Sequence, residues 1–475
     1  MLNMNCEDVR MKLLKKDWLG FLERLNTNHL RKFNSALAMA SIGAQVVPPR
    51  GSGPYCFRIH DQIYHCIGPL HPEGGQLRQY EQVYILDTFE AAQERLGKVQ
   101  NVGCDVMLME TLSRLIADIN TYAQAFKMMR EVELAEEELA RRERRALPKL
   151  KMVQSRERGL SRRPYDIPTA NEVAAVYVSE DGDIPAPRSL AIHQRGGNLQ
   201  QLSDIDRKCD PLTYPLFFPT GEDGWHVGLK NTANKRLTQM KYYAYLLSIR
   251  DNEWTPLLHG GKLLQQFIVD VYVKIEQNRL HFHRTHQKEL HTYRGLADYI
   301  AEEAQDLSGL PGRRIVLGSS FKGGPRNMQQ SYQDAMAIVA RHGKPDVFLT
   351  ITCNPQWKEI KDNLLPGQLP EHRPDLITRV FNLKLRELCQ DLFKRHFLGE
   401  KRGLPHCHML LILKAEFKPR IGTDVDKFCC GEVPNVAEEP ELFEAVKKFM
   451  VHRRCGSVRP YFTLHERWTM LQEIS

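Results

Sequence analysis

The spacing of apolar positions predicts a small mixed module at the start of the chain. Helical spacing indicates helices over residues 1–30, 33–44 and 89–147. Alternating stretches predict a hairpin of strands 55–60 and 62–67, turning at Asp61, and a further strand over 80–88. We therefore expect residues 1–150 to form an N-terminal α+β module that ends in a charged linker helix.

That last helix changes from acidic to basic over residues 131–145. Several glutamates stand three or four positions before an arginine, and this spacing supports a solvated helix. In one interpretation the segment is an exposed linker. In the other it is an arm that contacts nucleic-acid phosphates through Arg141, Arg142, Arg144, Arg145, Arg156, Arg158, Arg162 and Arg163.

Proline and aromatic residues mark a second region, residues 165–260. Strands are expected over 171–179 and 190–193, and long helices over 237–249 and 262–293. Three prolines within residues 210–226 predict a rigid, non-helical connector. Its aromatic side chains are expected to pack against the core, namely Tyr214, Phe217, Phe218 and Trp225.

The pattern continues with strands over 314–317 and 346–352, helices over 328–341 and 374–393, and a buried strand in the apolar run 409–413. The Gly-rich loop 318–326 opens onto a helix, so Lys322 or Arg326 could contact a DNA phosphate there. An ordinary loop is the equal alternative. The loop lacks the ending of a nucleotide P-loop, and no ATP site is expected.

Two histidines precede the apolar run. Residues two apart in a strand lie on one face, so His406 and His408 are expected side by side, with Cys407 opposite. Two neutral imidazoles can hold a divalent cation if a neighbouring strand supplies a third ligand. The alternative is a pair of polar residues on the wet face of a half-buried strand.

Other histidines and cysteines have simpler interpretations. His281 and His283 repeat the two-apart spacing, but on a helix they point in different directions and cannot share a metal. His283 and His286 are expected to form a solvated surface pair. The predicted hairpin brings together Cys56, His60, His65 and Cys66, whose spacing favours core thiols and surface imidazoles over zinc.

Composition limits the class of protein. A chain of 475 residues is long enough for two or three domains. Its net charge of +8 suits a nucleic-acid partner without requiring one. Eleven cysteines without a recognisable signal peptide indicate a reducing interior, and no apolar run reaches membrane-spanning length.

Three stretches carry a resemblance to one family. Gly-Leu-Pro-His-Cys-His at 403–408 is similar to the HUH motif (His, hydrophobic, His) of the Rep domain of Helitron rolling-circle transposases. Residues 348–357 resemble that family's first Rep motif, and residues 210–226 resemble a block found in Helitron proteins. The resemblance implies an α+β fold with an HUH-type Rep core at 261–420, a central antiparallel sheet flanked by helices, followed by a partly disordered tail at 421–475.

The resemblance also implies a site. A divalent metal ion, Mg²⁺ or Mn²⁺, would be held by His406 and His408, and a tyrosine would attack a DNA phosphodiester. Glu400 is the expected third ligand from its place in the gap before the histidine strand alone, and His396 is a weaker candidate. Single-stranded DNA is the implied partner and the nucleus the implied location, with no membrane partner; the oligomeric state is not implied. The residues expected to contact DNA are Lys322, Arg326, Thr350, Thr352, Asn354, Trp357, Lys401 and Arg402.

The sequence departs from the family pattern in two places. The segment 395–400 is too short for the strand that pairs with the histidine strand in the family. After His408 there is a single tyrosine, Tyr461, where the family has a pair, and no helicase ATP site follows. We therefore expect a truncated, DNA-binding form without full catalysis. The alternatives are an active nickase that uses Tyr461 and a non-functional transposon fragment.

Overall fold

The fold is that of a computed structural model, which combines helices with small antiparallel sheets. It describes residues 29–46, 57–72, 77–145, 149–154, 174–179, 190–193, 200–250, 255–287, 315, 317–394, 406–413, 418–422, 425 and 433–449. None of the helices in these ranges is long and apolar enough to cross a membrane. Residues 1–28 of the expected first helix and residues 395–405 lie outside them.

Eleven α-helices are named here in chain order within the described ranges. Six lie before residue 250: α1 Leu30–Leu37, α2 Thr88–Leu96, α3 Val106–Ile119, α4 Thr121–Glu143, α5 Cys209–Thr213 and α6 Gln239–Leu246. Five follow: α7 Lys262–Thr285, α8 Pro325–His342, α9 Lys358–Lys361, α10 Pro374–Lys394 and α11 Pro440–Phe449. Side chains cap several of these helices, as where Asn120 Oδ1 accepts hydrogen bonds from Tyr122 N and Ala123 N.

Eight strands form three antiparallel sheets. The first has the order β1–β2–β6, with β1 Ser41–Val46, β2 Ile59–Ile67 and β6 Gln200–Leu202. The second has the order β4–β3–β5, with β3 Lys149–Gln154, β4 Ala174–Ser179 and β5 Leu190–His193. The third is the pair β7 Val347–Thr352 and β8 His406–Leu411.

The main core joins the N-terminal module to the connector and to α7. Phe267 of α7 lies at its centre, with ring centroids of Tyr214 and Phe217 at 5.1 and 5.5 Å in edge-to-face geometry. Phe218 and Trp225 are also buried in this cluster. The predicted packing of the aromatic connector is therefore confirmed, and residues 210–226 bind the helices into one core.

Three predictions for the first module are wrong. Residues 59–67 form one continuous strand without a turn at Asp61, because β1 and β6 pair with it on its two sides. The stretch 80–88 is not a strand: Tyr80–Val83 is a 3₁₀ turn, and Asp87 caps α2 through its side chain. The helix expected over 33–44 ends at Leu37.

Three later predictions also need correction. The connector contains one short helix, Cys209–Thr213, because Pro211 lies in its first turn, where no backbone donor is required. No strand forms at Ile315 and Leu317, the two described residues of 314–317. His283 is buried and packs edge-on against Phe321, so it is not part of a solvated pair.

A second, smaller core supports the third sheet. Phe381 and Leu385 of α10 pack against Met409 and Leu411 of β8 and against the inward-facing residues of β7. Trp357 joins this cluster, with its ring 6.5 Å from that of Phe381. One face of the β7–β8 pair is therefore anchored on a long helix, and the pair has a defined inside and outside.

Candidate nucleic-acid interface

The two strands that carry the family motifs are neighbours. β7 and β8 pair antiparallel, with Thr350 opposite His408 and Thr352 opposite His406. This register places the two threonines directly beside positions 406 and 408. In β7, Thr alternates with Leu and Ile. Because the apolar side chains pack against α10, the two threonines lie on the opposite, outer face of the strand.

The outer face of the pair, here called the histidine face, combines apolar and polar residues. Phe348 and Leu410 lie opposite each other in the register, and each side chain is 63% exposed. Thr350, His408 and Thr352 are exposed on the same face, and position 406 shares it by strand alternation. Among the residues that the structure describes, two large apolar side chains are therefore exposed on this face.

His408 is held in place by two neighbours. Its Nδ1 lies 2.8 Å from Thr350 Oγ1, and its ring stacks on Phe348 with a centroid distance of 5.2 Å and an interplanar angle of 16°. When Nδ1–H donates to the threonine hydroxyl, the neutral ring carries its lone pair on Nε2. The hydrogen bond at Nδ1 and the stacked Phe348 ring therefore fix the orientation of the imidazole.

The residues present fit part of a metal site. His408 lies on the outer face beside Thr350, and position 406 lies two residues before it in β8, opposite Thr352. No group of three or more metal-ligating side chains occurs among the residues that the structure describes. Glu400, the expected third ligand, lies outside those residues.

The other predicted site residues lie at different places in the structure, and each makes contacts of its own. Asn354 Oδ1 accepts a hydrogen bond from Gln356 N and so closes the turn after β7. Trp357 is half-buried in the smaller core and also packs against the adjoining cluster of Ile360, Leu376 and Val380. Lys322 is exposed and Arg326 half-buried at the start of α8. DNA contacts by these four remain predictions, and Lys401, Arg402 and Tyr461 lie outside the described residues.

The Gly-rich loop before α8 is closed by a side chain. Asn327 Nδ2 donates to Ser319 O at 2.8 Å, and Asn327 Oδ1 accepts from Gly323 N at 3.2 Å. Gly323 has a φ of +80°, which favours glycine at this turn. One backbone N–H that a phosphate cradle would use is therefore already bonded within the loop.

The family comparison covers the segment that builds this site. Residues 242–411 match the family model for the Helitron helicase-like domain at the N-terminus. The chain therefore contains a Helitron-related segment. The match begins within α6 and ends with β8, so this Helitron-related segment includes α7, α10 and both strands of the histidine face. No curated protein matches the chain significantly.

The main core contains a buried network of charged residues that was not predicted from the sequence. The expectation of a surface imidazole at His65 is wrong, because His65 is buried in this network. Lys274 Nζ lies 2.8 Å from Asp210 Oδ1 and 3.4 Å from Asp270 Oδ2. His65 Nε2 lies 3.1 Å from the same Asp270 oxygen. Tyr214 donates its hydroxyl to Asp270, and Tyr243 donates to Asp210. Two carboxylates thus meet two potential cations where the connector, α7 and β2 converge.

Burial and pairing both act on the pKa values of this network. Burial alone raises the pKa of Asp270, but Lys274 and His65 reverse this and hold it well below its usual range. Burial alone lowers the pKa of His65, but Cys209 and Asp270 outweigh it and raise the value to about 10. The network is therefore charge-balanced when His65 is protonated.

One sequence signal could have indicated these residues. Asp270 and Lys274 are four apart on the same face of α7 as Phe267 and Val271, where an amphipathic helix has apolar residues. His65 lies on the same face of β2 as the buried residues Ile63 and Ile67. Charged residues on a core face predict buried partners, although the pattern does not identify which ones.

Proposed function

We propose that this Helitron-derived chain binds single-stranded DNA on the histidine face. The observation that carries the proposal is the exposed Phe348 ring, stacked on His408 and anchored from behind by α10. Aromatic rings on a sheet provide a platform on which successive bases stack, and this contact tolerates any sequence. The net charge of +8 favours a polyanionic partner.

We further propose that His406 and His408 take part in binding a divalent cation, Mg²⁺ or Mn²⁺, at the edge of this platform. When bound, such a cation would polarise a DNA phosphate and neutralise its charge. His408 would contribute Nε2, oriented by the Thr350 hydrogen bond. Phe348 would position a base beside the phosphate, so that the sheet holds the strand next to the metal ligands.

Replacing Phe348 by alanine is expected to weaken binding of a fluorescent single-stranded oligonucleotide. Loss of one base–aromatic stack costs about 1–3 kcal/mol, which is about 5- to 150-fold in Kd. Phe89→Ala is a matched control, because Phe89 is similarly exposed, at 56%, on α2 of the first module. Fluorescence anisotropy at low salt measures both. Equal affinities of the two variants would contradict the proposal.

The double variant His406→Ala/His408→Ala is expected to weaken Mn²⁺ binding by more than about 10-fold, since each histidine supplies a ligand. Isothermal titration calorimetry with the full chain measures this directly. The control is His281→Ala/His342→Ala, which removes two exposed imidazoles from α7 and α8. If both double variants bind Mn²⁺ like the unmodified chain, the histidine face is not a metal site.

A further inference from the structure

A small hairpin extends from the main core between the connector and α6. Residues 229–237, here called the basic hairpin, form two short antiparallel segments joined by a tight turn. Trp225 Nε1 donates to Leu237 O at 2.9 Å, and Leu229 packs against the main core, so the base of the hairpin is fixed. Every residue from 230 to 236 is exposed. The basic hairpin therefore presents both of its faces to solvent.

The turn of the basic hairpin is closed by hydrogen bonds and is polar. Asn234 N donates to Asn231 O, and Asn231 N donates to Lys235 O, each at 2.9 Å. Asn234 has a φ of +55°, a left-handed conformation that asparagine tolerates better than most residues. A turn followed by a left-handed residue is a common form of the three-residue hairpin loop. The tip of the hairpin thus consists of Thr232, Ala233 and Asn234, without a large apolar side chain.

Two cations lie opposite each other across the basic hairpin. Lys230 and Arg236 are partners in its register. The hydrogen bonds that Leu237 N and Asn231 N donate across the hairpin flank this pair and do not join it. Partners of this kind approach most closely, with Cα atoms about 4.5 Å apart, and their side chains share one face. Because like charges directly opposite each other are destabilising, an anion bound between them would relieve the repulsion.

The charge around the hairpin is unbalanced. Residues 224–250 contain five basic residues and no aspartate or glutamate, in a chain whose net charge is +8. Asp223, which precedes this stretch, pairs with Arg207 at 3.3 Å. The basic residues of the stretch that form no ion pair with another described residue are Lys230, Lys235, Arg236 and Lys241. The basic hairpin is therefore a site of concentrated, uncompensated positive charge.

We propose that the basic hairpin enters the major groove of double-stranded DNA and contacts the backbone phosphates at its edges. The major groove is wide enough to admit a two-stranded β-ribbon, and this hairpin is such a ribbon with both faces exposed. Lys230 and Arg236 would bind phosphate oxygens from one face. Lys235 lies on the other face by strand alternation, so both phosphate strands would meet a cation.

An anionic membrane surface is the other partner that this charge would attract. A segment that lies on a membrane inserts apolar side chains below the head groups, and the tip at residues 232–234 has no large one. The shape and the polar tip therefore favour duplex DNA. The basic hairpin lies before residues 242–411, the segment that the family model matches. The inference goes beyond the proposed function and does not depend on it.

The double variant Lys230→Gln/Arg236→Gln tests this inference in the full chain. Fluorescence anisotropy with a labelled duplex oligonucleotide is measured at several salt concentrations. Removing two phosphate contacts is expected to weaken duplex binding at least about 10-fold at low salt. The slope of the logarithm of affinity against the logarithm of salt concentration should become shallower by about 2.

The matched control is Arg114→Gln/Lys361→Gln, which removes the same charge from exposed positions on α3 and α9. It is expected to change duplex affinity by less than about 3-fold, because charges far from the DNA are screened by salt. Equal affinities and salt slopes of the two double variants would overturn the proposal. Failure of the unmodified chain to bind the duplex would overturn it as well.

Three further measurements on the Lys230→Gln/Arg236→Gln variant define the partner. Its thermal midpoint without DNA is expected to stay equal or rise, because a repulsion is removed, and a lowered midpoint would contradict the argument from opposed charges. Its affinity for a single strand is expected to fall by less than about 3-fold, since the histidine face is unchanged. An equal loss for single strand and duplex would overturn the assignment to duplex DNA. Loss of binding to phosphatidylserine vesicles with unchanged duplex affinity would overturn it in favour of a membrane.

Discussion

Lys274→Met is expected to lower the free energy of unfolding by about 3–5 kcal/mol, because it leaves two buried carboxylates without their shared cation. Asp210 and Asp270 are 2% and 1% exposed, so water cannot replace the ammonium group. Methionine has a similar length and keeps the aliphatic packing along α7. Urea denaturation followed by circular dichroism measures the change.

The matched control is Lys241→Met, which changes an exposed lysine on α6 and is expected to alter stability by less than about 0.5 kcal/mol. Adding Asp210→Asn to Lys274→Met neutralises the carboxylate that lost its ammonium partner, while His65 still faces Asp270, and part of the lost stability should return. A loss below about 1 kcal/mol for Lys274→Met would show that the network does not hold the connector to α7.

The stability of the chain is expected to fall as the pH rises from about 6.5 towards 10. The folded pKa of His65 is raised from 6.5 to about 10, because the Cys209 and Asp270 effects exceed that of burial. A raised folded pKa means that the stabilisation is complete below pH 6.5 and is lost as pH approaches the folded value. The loss is on the order of a few kcal/mol, since a tenfold difference in proton affinity between the folded and unfolded chain corresponds to about 1.4 kcal/mol.

His65→Gln isolates this contribution. Glutamine keeps a side-chain donor for Asp270 but does not titrate, so the variant should be less stable at pH 6 and less dependent on pH than the unmodified chain. Lys274, Asp204 and Cys209 lie near His65 and remain in both proteins. Parallel unfolding curves at several pH values compare the two. Identical pH profiles would mean that His65 is not the titrating group.

The sequence predicted long, strongly periodic elements well. Helices α7 and α10 and strands β7 and β8 were expected close to where they occur, because each buries one regular apolar face. The single helix expected over 89–147 is instead divided into α2, α3 and α4. The prediction was wrong where one local pattern is compatible with two different structures. Alternation over 55–67 fits either a hairpin or one long strand, and the choice is made by pairing with residues 200–202, far away in the chain.

Part of the candidate site was also predictable from the alternation of residues along the strands. Alternation in β7 and β8 places Thr350 and His408 on one face, and their pairing could be anticipated once the family resemblance was recognised. The stacking of Phe348 on His408 depends on strand register, which periodicity alone does not define. The buried network combines β2, the connector and α7, and no local pattern identifies such distant partners.

The central claim is that single-stranded DNA lies on the histidine face. Ultraviolet cross-linking of a labelled oligonucleotide to the full chain, followed by mass spectrometry of the peptides, tests it most directly. The account predicts cross-links to the peptides that contain Phe348 and His408, reduced in the Phe348→Ala variant and competed by unlabelled single strands. Cross-links confined to peptides outside β7 and β8, with none on these strands, would contradict it.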